Sequence, residues 1–120
     1  MHEIYFYTDK KGNKPVLDYI NELAQKKDKN SRIILNKIND YIQHLSEYGV
    51  CAGEPYVKHL GGDIWELRPL RDRILFVAWV NNSYVLLHHF MKQTQKTPLR
   101  EIKQAKKELT DLIERGIDDE

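Results

Sequence analysis

An α+β domain is the fold class this sequence predicts, and three observations predict it. A strand-like run opens the chain, two amphipathic helices follow, and several short strands separated by tight turns lead into a last helix. With 120 residues there is enough chain for one core and little more, so residues 1–120 are expected to fold as a single compact domain.

Residues Ile4 to Thr8 alternate in polarity and read as the first strand. Asp9-Lys10-Lys11-Gly12-Asn13 is a turn, and Pro15 suits the first position of a helix, where its missing N–H is not needed. Val16, Leu17, Ile20, Leu23 and Ala24 then recur at helical spacing. Lys26 to Asn30 has no apolar anchor and breaks the pattern; Asn30 or Ser31 can cap a second helix. That helix carries Ile34, Leu35, Ile38, Tyr41, Ile42 and Leu45 on one stripe and is expected to end at Gly49. The resulting helical hairpin needs a surface to lie on.

An antiparallel sheet supplies it. Strands are expected over Tyr56–Leu60, Ile64–Arg68, Arg73–Val80 and Tyr84–Met91, joined by turns at Gly61-Gly62-Asp63, Pro69–Asp72 and Asn81-Asn82-Ser83. Residues 74–80 are continuously apolar, as in a central strand covered on both faces. Thr97 is the expected cap of a final helix beginning at Pro98, with Leu99, Ile102, Ala105, Leu109, Leu112 and Ile113 on one side.

Apolar residues make up 41% and charged residues 31%, an ordinary globular balance. No apolar run approaches the ~18 residues of a membrane span. The opening MHEIYFYTDKK carries an acid and an alternating run and does not read as a signal peptide. The single cysteine, Cys51, excludes an internal disulfide and a cysteine-only metal cage, in keeping with a cytoplasmic protein. The net charge of +1 conceals an uneven distribution. Residues 1–55 hold eight basic and eight acidic side chains, residues 56–107 hold ten and four, and residues 108–120 hold Arg115 against six acids. A basic module before an acidic tail suits a polyanionic partner; the alternative is a solvated mixed surface.

Candidate chemistry centres on the turn at Pro69. Four loop residues between the strands set Arg68 and Arg73 opposite each other on one face. Facing guanidiniums repel and cannot shed their protons, so an acid or an anion must compensate. Glu66, two residues back on the same face, is the internal candidate; a phosphate matches the guanidinium fork in two bonds at once. Lys58 and His59 lie on the preceding strand. On the last, alternation sets His88, Phe90 and Lys92 on one face and His89 and Met91 on the other. Cations to hold phosphates and a ring to stack a base make an RNA surface, to which Arg71 and Lys96 add charge. No second pair of His, Cys or Asp offers zinc spacing, and no glycine-rich phosphate loop or Ser/His/Asp grouping appears.

These parts suit cofactor-free and metal-free cleavage of RNA. The 2′-hydroxyl loses a proton as it attacks phosphorus, negative charge grows on the phosphoryl oxygens, and the departing 5′ oxygen gains a proton. Arginines stabilise the growing charge, and a lysine or histidine can carry the protons.

The motifs Lys58-x-Leu60-x-Gly62, Trp65-Glu66-Leu67-Arg68, Arg73, Leu87-His88-x-Phe90-x-Lys92, Lys96-Thr97-Pro98 and Glu101-Ile102-x-x-Ala105 come in that order. As a set they resemble the HigB-like (phage Gp49-like) members of the RelE/ParE toxins, over residues 56–107 above all. The resemblance implies a RelE-like domain that acts as a ribosome-dependent endoribonuclease, cutting messenger RNA while docked on ribosomal RNA. It also implies a cognate helix-turn-helix antitoxin, HigA-like, through which the toxin–antitoxin complex sits on operator DNA. On this resemblance Arg68 and Arg73 are the phosphate-contacting arginines, Lys58 and Lys92 the catalytic lysines and Phe90 the residue that packs or stacks at the site. His88 stands with the catalytic set, and His59, Arg71, His89 and Lys96 with the RNA-contacting set.

The sequence departs from its relatives at Gln93, where a second basic residue is common, and in a final helix without tyrosine. The proton acceptor is therefore open between His88 and a lysine. Two rival functions share the fold: a ParE-like inhibitor of DNA gyrase, whose activity would concentrate in the C-terminal segment, and a non-catalytic module that binds RNA or an antitoxin.

Overall fold

The structure is a computed structural model that describes residues 1–117. Of the acidic tail, Asp118, Asp119 and Glu120 lie outside the described residues. The elements follow the predicted order: β1 (Glu3–Phe6), α1 (Pro15–Gln25), α2 (Lys29–Tyr48), β2 (Val57–Gly61), β3 (Ile64–Leu67), β4 (Asp72–Trp79), β5 (Ser83–Met91) and α3 (Leu99–Arg115). They form one sheet of order β1-β5-β4-β3-β2, antiparallel except for β1, which runs parallel to β5. The helical hairpin carries the chain from β1 to the far edge of the sheet, where β2 runs opposite to β1, and the three reversals from β2 to β5 bring β5 back parallel to β1.

The sheet is covered on both faces. Val16, Leu23, Ile38 and Leu45 of the hairpin pack on Leu67, Ile74, Phe76 and Leu86. Ala105 and Leu112 of α3 pack on the opposite face, against Leu75, Val77, Val85 and Leu87. Alternation along β4 accounts for both layers at once, since Ile74 and Phe76 point one way and Leu75 and Val77 the other. The expected cover over residues 74–80 holds fully only for Ile74–Val77, since Ala78 is exposed near the end of β4 and Val80 lies exposed in the turn beyond it.

Several ends differ from the sequence expectation. Asp28, not Asn30 or Ser31, caps α2, accepting from Ser31 N at 2.9 Å and from the Ser31 hydroxyl. The Asp28 carboxylate reaches the Ser31 amide from the last extended residue, so Ser31 becomes a donor within the helix. Gly49 ends α2 as expected, with φ +62°. Pro98 rather than Thr97 occupies the cap of α3, and the Thr97 hydroxyl donates instead to Glu66. Leu99 and Ile113 lie on the exposed side of α3, while Glu108 takes a buried position between Ala105 and Leu112.

One irregularity sets the site. In β5, Leu75 pairs with His88 while Phe76 pairs with Leu86, so Leu87 is an unpaired extra residue, a β-bulge. Leu87 packs in the α3 layer, and His88 also reaches α3 by bonding Glu101. Beyond the bulge the alternation is shifted by one, which brings Phe90 to the α3 face and sends His89 to the hairpin face.

Candidate functional site

Beyond the N-terminal end of α3 the sheet is not covered by helix, and an open cleft of about 250 Å³ remains. Strand residues Lys58, Glu66, Arg73 and Phe90, with Arg68 just past the end of β3, form its floor, and Lys92 to Pro98, the connection into α3, forms its wall. Continuing the β3–β4 register past Leu67↔Ile74 sets Arg68 opposite Arg73, and Arg73 in turn pairs with Phe90. Lys58 pairs with Glu66 on the next strand. The two arginines, both lysines of the catalytic expectation, the aromatic and Lys96 therefore line one cleft.

Glu66 is the internal counter-charge. It is 2% exposed, and its Oε1 lies 3.6 Å from Arg68 Nε and 3.9 Å from Arg73 Nε. Both separations exceed hydrogen-bond length, so the carboxylate balances the guanidiniums by charge and keeps Oε2 for the Thr97 hydroxyl. One carboxylate stands among five cations of the cleft lining, Lys58, Arg68, Arg73, Lys92 and Lys96. Glu54 approaches Arg68 at 3.6 Å from a solvent-exposed position, where screening weakens it. A strong positive potential survives, which is the condition for holding an anion.

The two arginines are held differently. Arg73 is 6% exposed and donates from Nη1 to the carbonyls of Leu70 and Asp72, each at 2.8 Å. Burial first, and then the charge of Arg68, push its guanidinium below the usual range, with Glu66 and Asp72 opposing. Arg68 is more open, and its buried Nε finds no hydrogen-bond acceptor among the described residues. The Leu70 carbonyl comes from a residue at φ +54°, a left-handed conformation uncommon outside glycine. That unfavourable backbone turns a carbonyl toward Arg73.

The remaining expected residues fall outward from this centre. Arg71 lines an adjoining groove with Leu70, Arg73 and Lys92, and Lys92 N donates to the Arg71 carbonyl at 2.7 Å. His59 lies on the cleft's rim, bonded to the Gly62 carbonyl at 2.8 Å and against the Trp65 ring. His88 is on the same sheet face but outside the cleft lining, its Nε2 2.7 Å from Glu101 Oε1. His89 is on the hairpin face, stacked on Tyr19 and bonded to Asp72. Neither histidine touches the cleft.

Thr97, Glu54 and Asp72 take parts that sequence reasoning did not assign. Thr97 reads as a helix cap and Asp72 as a turn residue, and only the folded chain shows each turned inward. Among the described residues no group of three or more His, Cys, Asp or Glu is placed to hold a metal ion, and no helix is long and apolar enough to cross a membrane.

A search of curated proteins finds no match to the chain. The model of the family described as Phage derived protein Gp49-like matches residues 18–110, more than three quarters of the sequence, from within α1 to within α3. That span contains every residue of the cleft. The chain therefore belongs to the phage-derived Gp49-like family, a RelE/ParE-like family associated with the toxins of toxin–antitoxin systems, and that membership implies an antitoxin partner.

Proposed function

We propose that the chain is a HigB-like toxin that cleaves messenger RNA on the ribosome and so arrests translation in the cytoplasm. The observation that carries this reading is the pair of facing arginines with only one buried carboxylate between them, in a cleft that also holds Lys58, Lys92 and Phe90. A scissile phosphate at Arg68 and Arg73 supplies the missing negative charge and accepts from Arg68 Nε. As the 2′-oxygen attacks phosphorus, the guanidiniums stabilise the charge growing on the phosphoryl oxygens without any reorganisation.

Protons must move at two oxygens, and arginine cannot move them. Of the cleft groups able to do so, Lys58, which pairs with Glu66, and Lys92, two residues past Phe90, take these roles, one accepting the 2′ proton and the other protonating the 5′ oxygen. His88 reaches the reaction only if its bond to Glu101 breaks, so the reading favours a lysine. Phe90, paired with Arg73, stacks the base beside the scissile phosphate, and Lys96, Arg71 and His59 hold the flanking strand. His89 has no part in the cleft. The ribosome presents the strand, and a helix-turn-helix antitoxin of the HigA type neutralises the toxin and tethers the complex to operator DNA.

The test is induction of the toxin in bacteria followed by mapping of RNA 5′ ends. New ends within translated messages are expected, and they should vanish when translation initiation is blocked. Intact messages together with a loss of DNA supercoiling would overturn the proposal in favour of a gyrase inhibitor.

A further inference from the structure

Behind the cleft, on the hairpin face, lies a cluster that takes no part in the cleft lining. Asp72 opens β4 and is 1% exposed, unusual for an aspartate at the end of a surface turn. Its Oδ1 accepts from the Tyr19 hydroxyl of α1 at 2.8 Å, and His89 Nε2 of β5 lies 2.8 Å from the same oxygen. The Tyr19 and His89 rings stack with centroids 3.7 Å apart and planes 17° from parallel. Burying a carboxylate costs free energy, which two donors on one oxygen offset. A solvated aspartate at the same turn would carry no such cost, so the withdrawal of Asp72 from water calls for a reason.

The reason is in the backbone of the same residue. The Asp72 carbonyl accepts from Arg73 Nη1 at 2.8 Å, and Asp72 N donates to the Pro69 carbonyl at 3.0 Å. The Leu70 carbonyl takes a second bond from Arg73 Nη1. Both Nη1 hydrogens are committed to this turn, so the direction in which the guanidinium offers its other edge depends on where the turn is held. The turn is held from behind, by α1 through Tyr19 and by β5 through His89.

We infer that Tyr19, Asp72 and His89 are positioning residues: they clamp the Pro69–Asp72 turn to the helical hairpin and thereby aim the Arg73 guanidinium into the cleft. This rests on the cleft being a phosphate site. Alternation makes it possible, since adjacent residues of β4 face opposite ways and Asp72 can be gripped by one layer while Arg73 serves the other. The reacting phosphate would sense a displaced arginine chiefly in the transition state, so the clamp acts on kcat more than on KM.

Two readouts separate this inference from the function it rests on. The Arg73 Nε–Hε resonance, identified by its loss in Arg73→Lys, reports the order of the guanidinium without RNA. Cleavage of a ribosome-bound message reports kcat and KM. Asp72→Ala should accelerate Hε exchange about tenfold and lower kcat about tenfold, with KM within about threefold. Asp72→Asn keeps an oxygen for both donors and should remain within about threefold of the parent in each readout. Tyr19→Phe, which removes one hydroxyl and leaves the packing, should give a smaller change of the same sign. Unchanged Hε exchange in folded Asp72→Ala or Tyr19→Phe overturns the clamp. So does an Asp72→Asn protein that behaves like Asp72→Ala, since charge and not geometry would then be at work. If the parent shows no cleavage, the ribonuclease reading fails, and the resonance still decides whether the clamp orders Arg73.

Discussion

Arg73 of β4 and Glu108 of α3 are buried to the same degree, each 6% exposed, and the fold treats them in opposite ways. Around Arg73, at the N-terminal end of α3, two backbone carbonyls are turned inward and a buried carboxylate stands opposite. Around Glu108, farther along α3, Oε1 has no hydrogen-bond partner among the described residues, and Gln104 reaches Oε2 only at 3.4 Å. Burial pushes the Glu108 carboxyl up to about 7, helped by the charge of Asp9 and opposed by Gln104. The difference follows from chemistry. A carboxyl group can escape the cost of burial by keeping its proton, whereas a guanidinium cannot, so acceptors must be built for it. A fold that builds them, at the expense of a left-handed leucine, commits that region to a fixed positive charge.

The largest expected effect lies at that committed charge. Arg73→Ala and Arg68→Ala should each reduce cleavage about 100-fold, the usual scale for removing a preorganised donor from a developing oxyanion. Growth arrest should be relieved in both, with circular dichroism unchanged. Collapse of the fold in both variants would turn the comparison around and make the arginines structural.

Glu66→Gln addresses the counter-charge instead. The amide keeps an acceptor for Thr97 but leaves Arg68 and Arg73 facing each other with no charge between them. Stability should fall by about 2 kcal/mol, less than for a closely bonded buried pair because both separations are long. Inorganic phosphate should then raise the melting temperature more in the variant than in the parent, since it supplies the missing charge. An unchanged melting temperature in Glu66→Gln would mean that the guanidiniums need no compensation.

The two regions were not equally legible in the sequence. The arginine pair could be read because a turn of known length fixes which residues face each other, and the extended register of β3 and β4 agrees with it. Helix spacing gave the hairpin and the greater part of α3. What could not be read depends on contacts between distant segments. Nothing in Leu86-Leu87-His88-His89, which lacks glycine, marks a bulge, yet the bulge decides which histidine reaches α3 and brings Phe90 into the cleft. Thr97 reads as a cap because threonine before a helix commonly caps, and only the nearness of Glu66 redirects it. Glu108 falls at the start of the acid-rich stretch 108–120, and hydrophobic spacing alone cannot show that α3 is rotated enough to bury it.

Glu108 offers the smallest effect and the sharpest control on the comparison. Its folded value of about 7 lies above the ordinary 4.5, so the folded protein holds a proton that the unfolded chain has lost across that window. The stabilisation is fully present below about pH 4.5, declines as pH rises, and is gone once pH passes about 7. Glu108 borders an open surface groove whose water screens the charge and reduces the size, and a fall on the order of 1–2 kcal/mol between pH 5 and pH 8 is expected from this one group. Glu108→Gln should flatten that part of the profile and be the more stable protein at pH 8, as denaturant melts across the range would show. A parallel profile in parent and variant would mean that Glu108 stays ionised in the fold. It would then need a cation close by, and the contrast with Arg73 would reduce to a difference in partners rather than in the ability to give up charge.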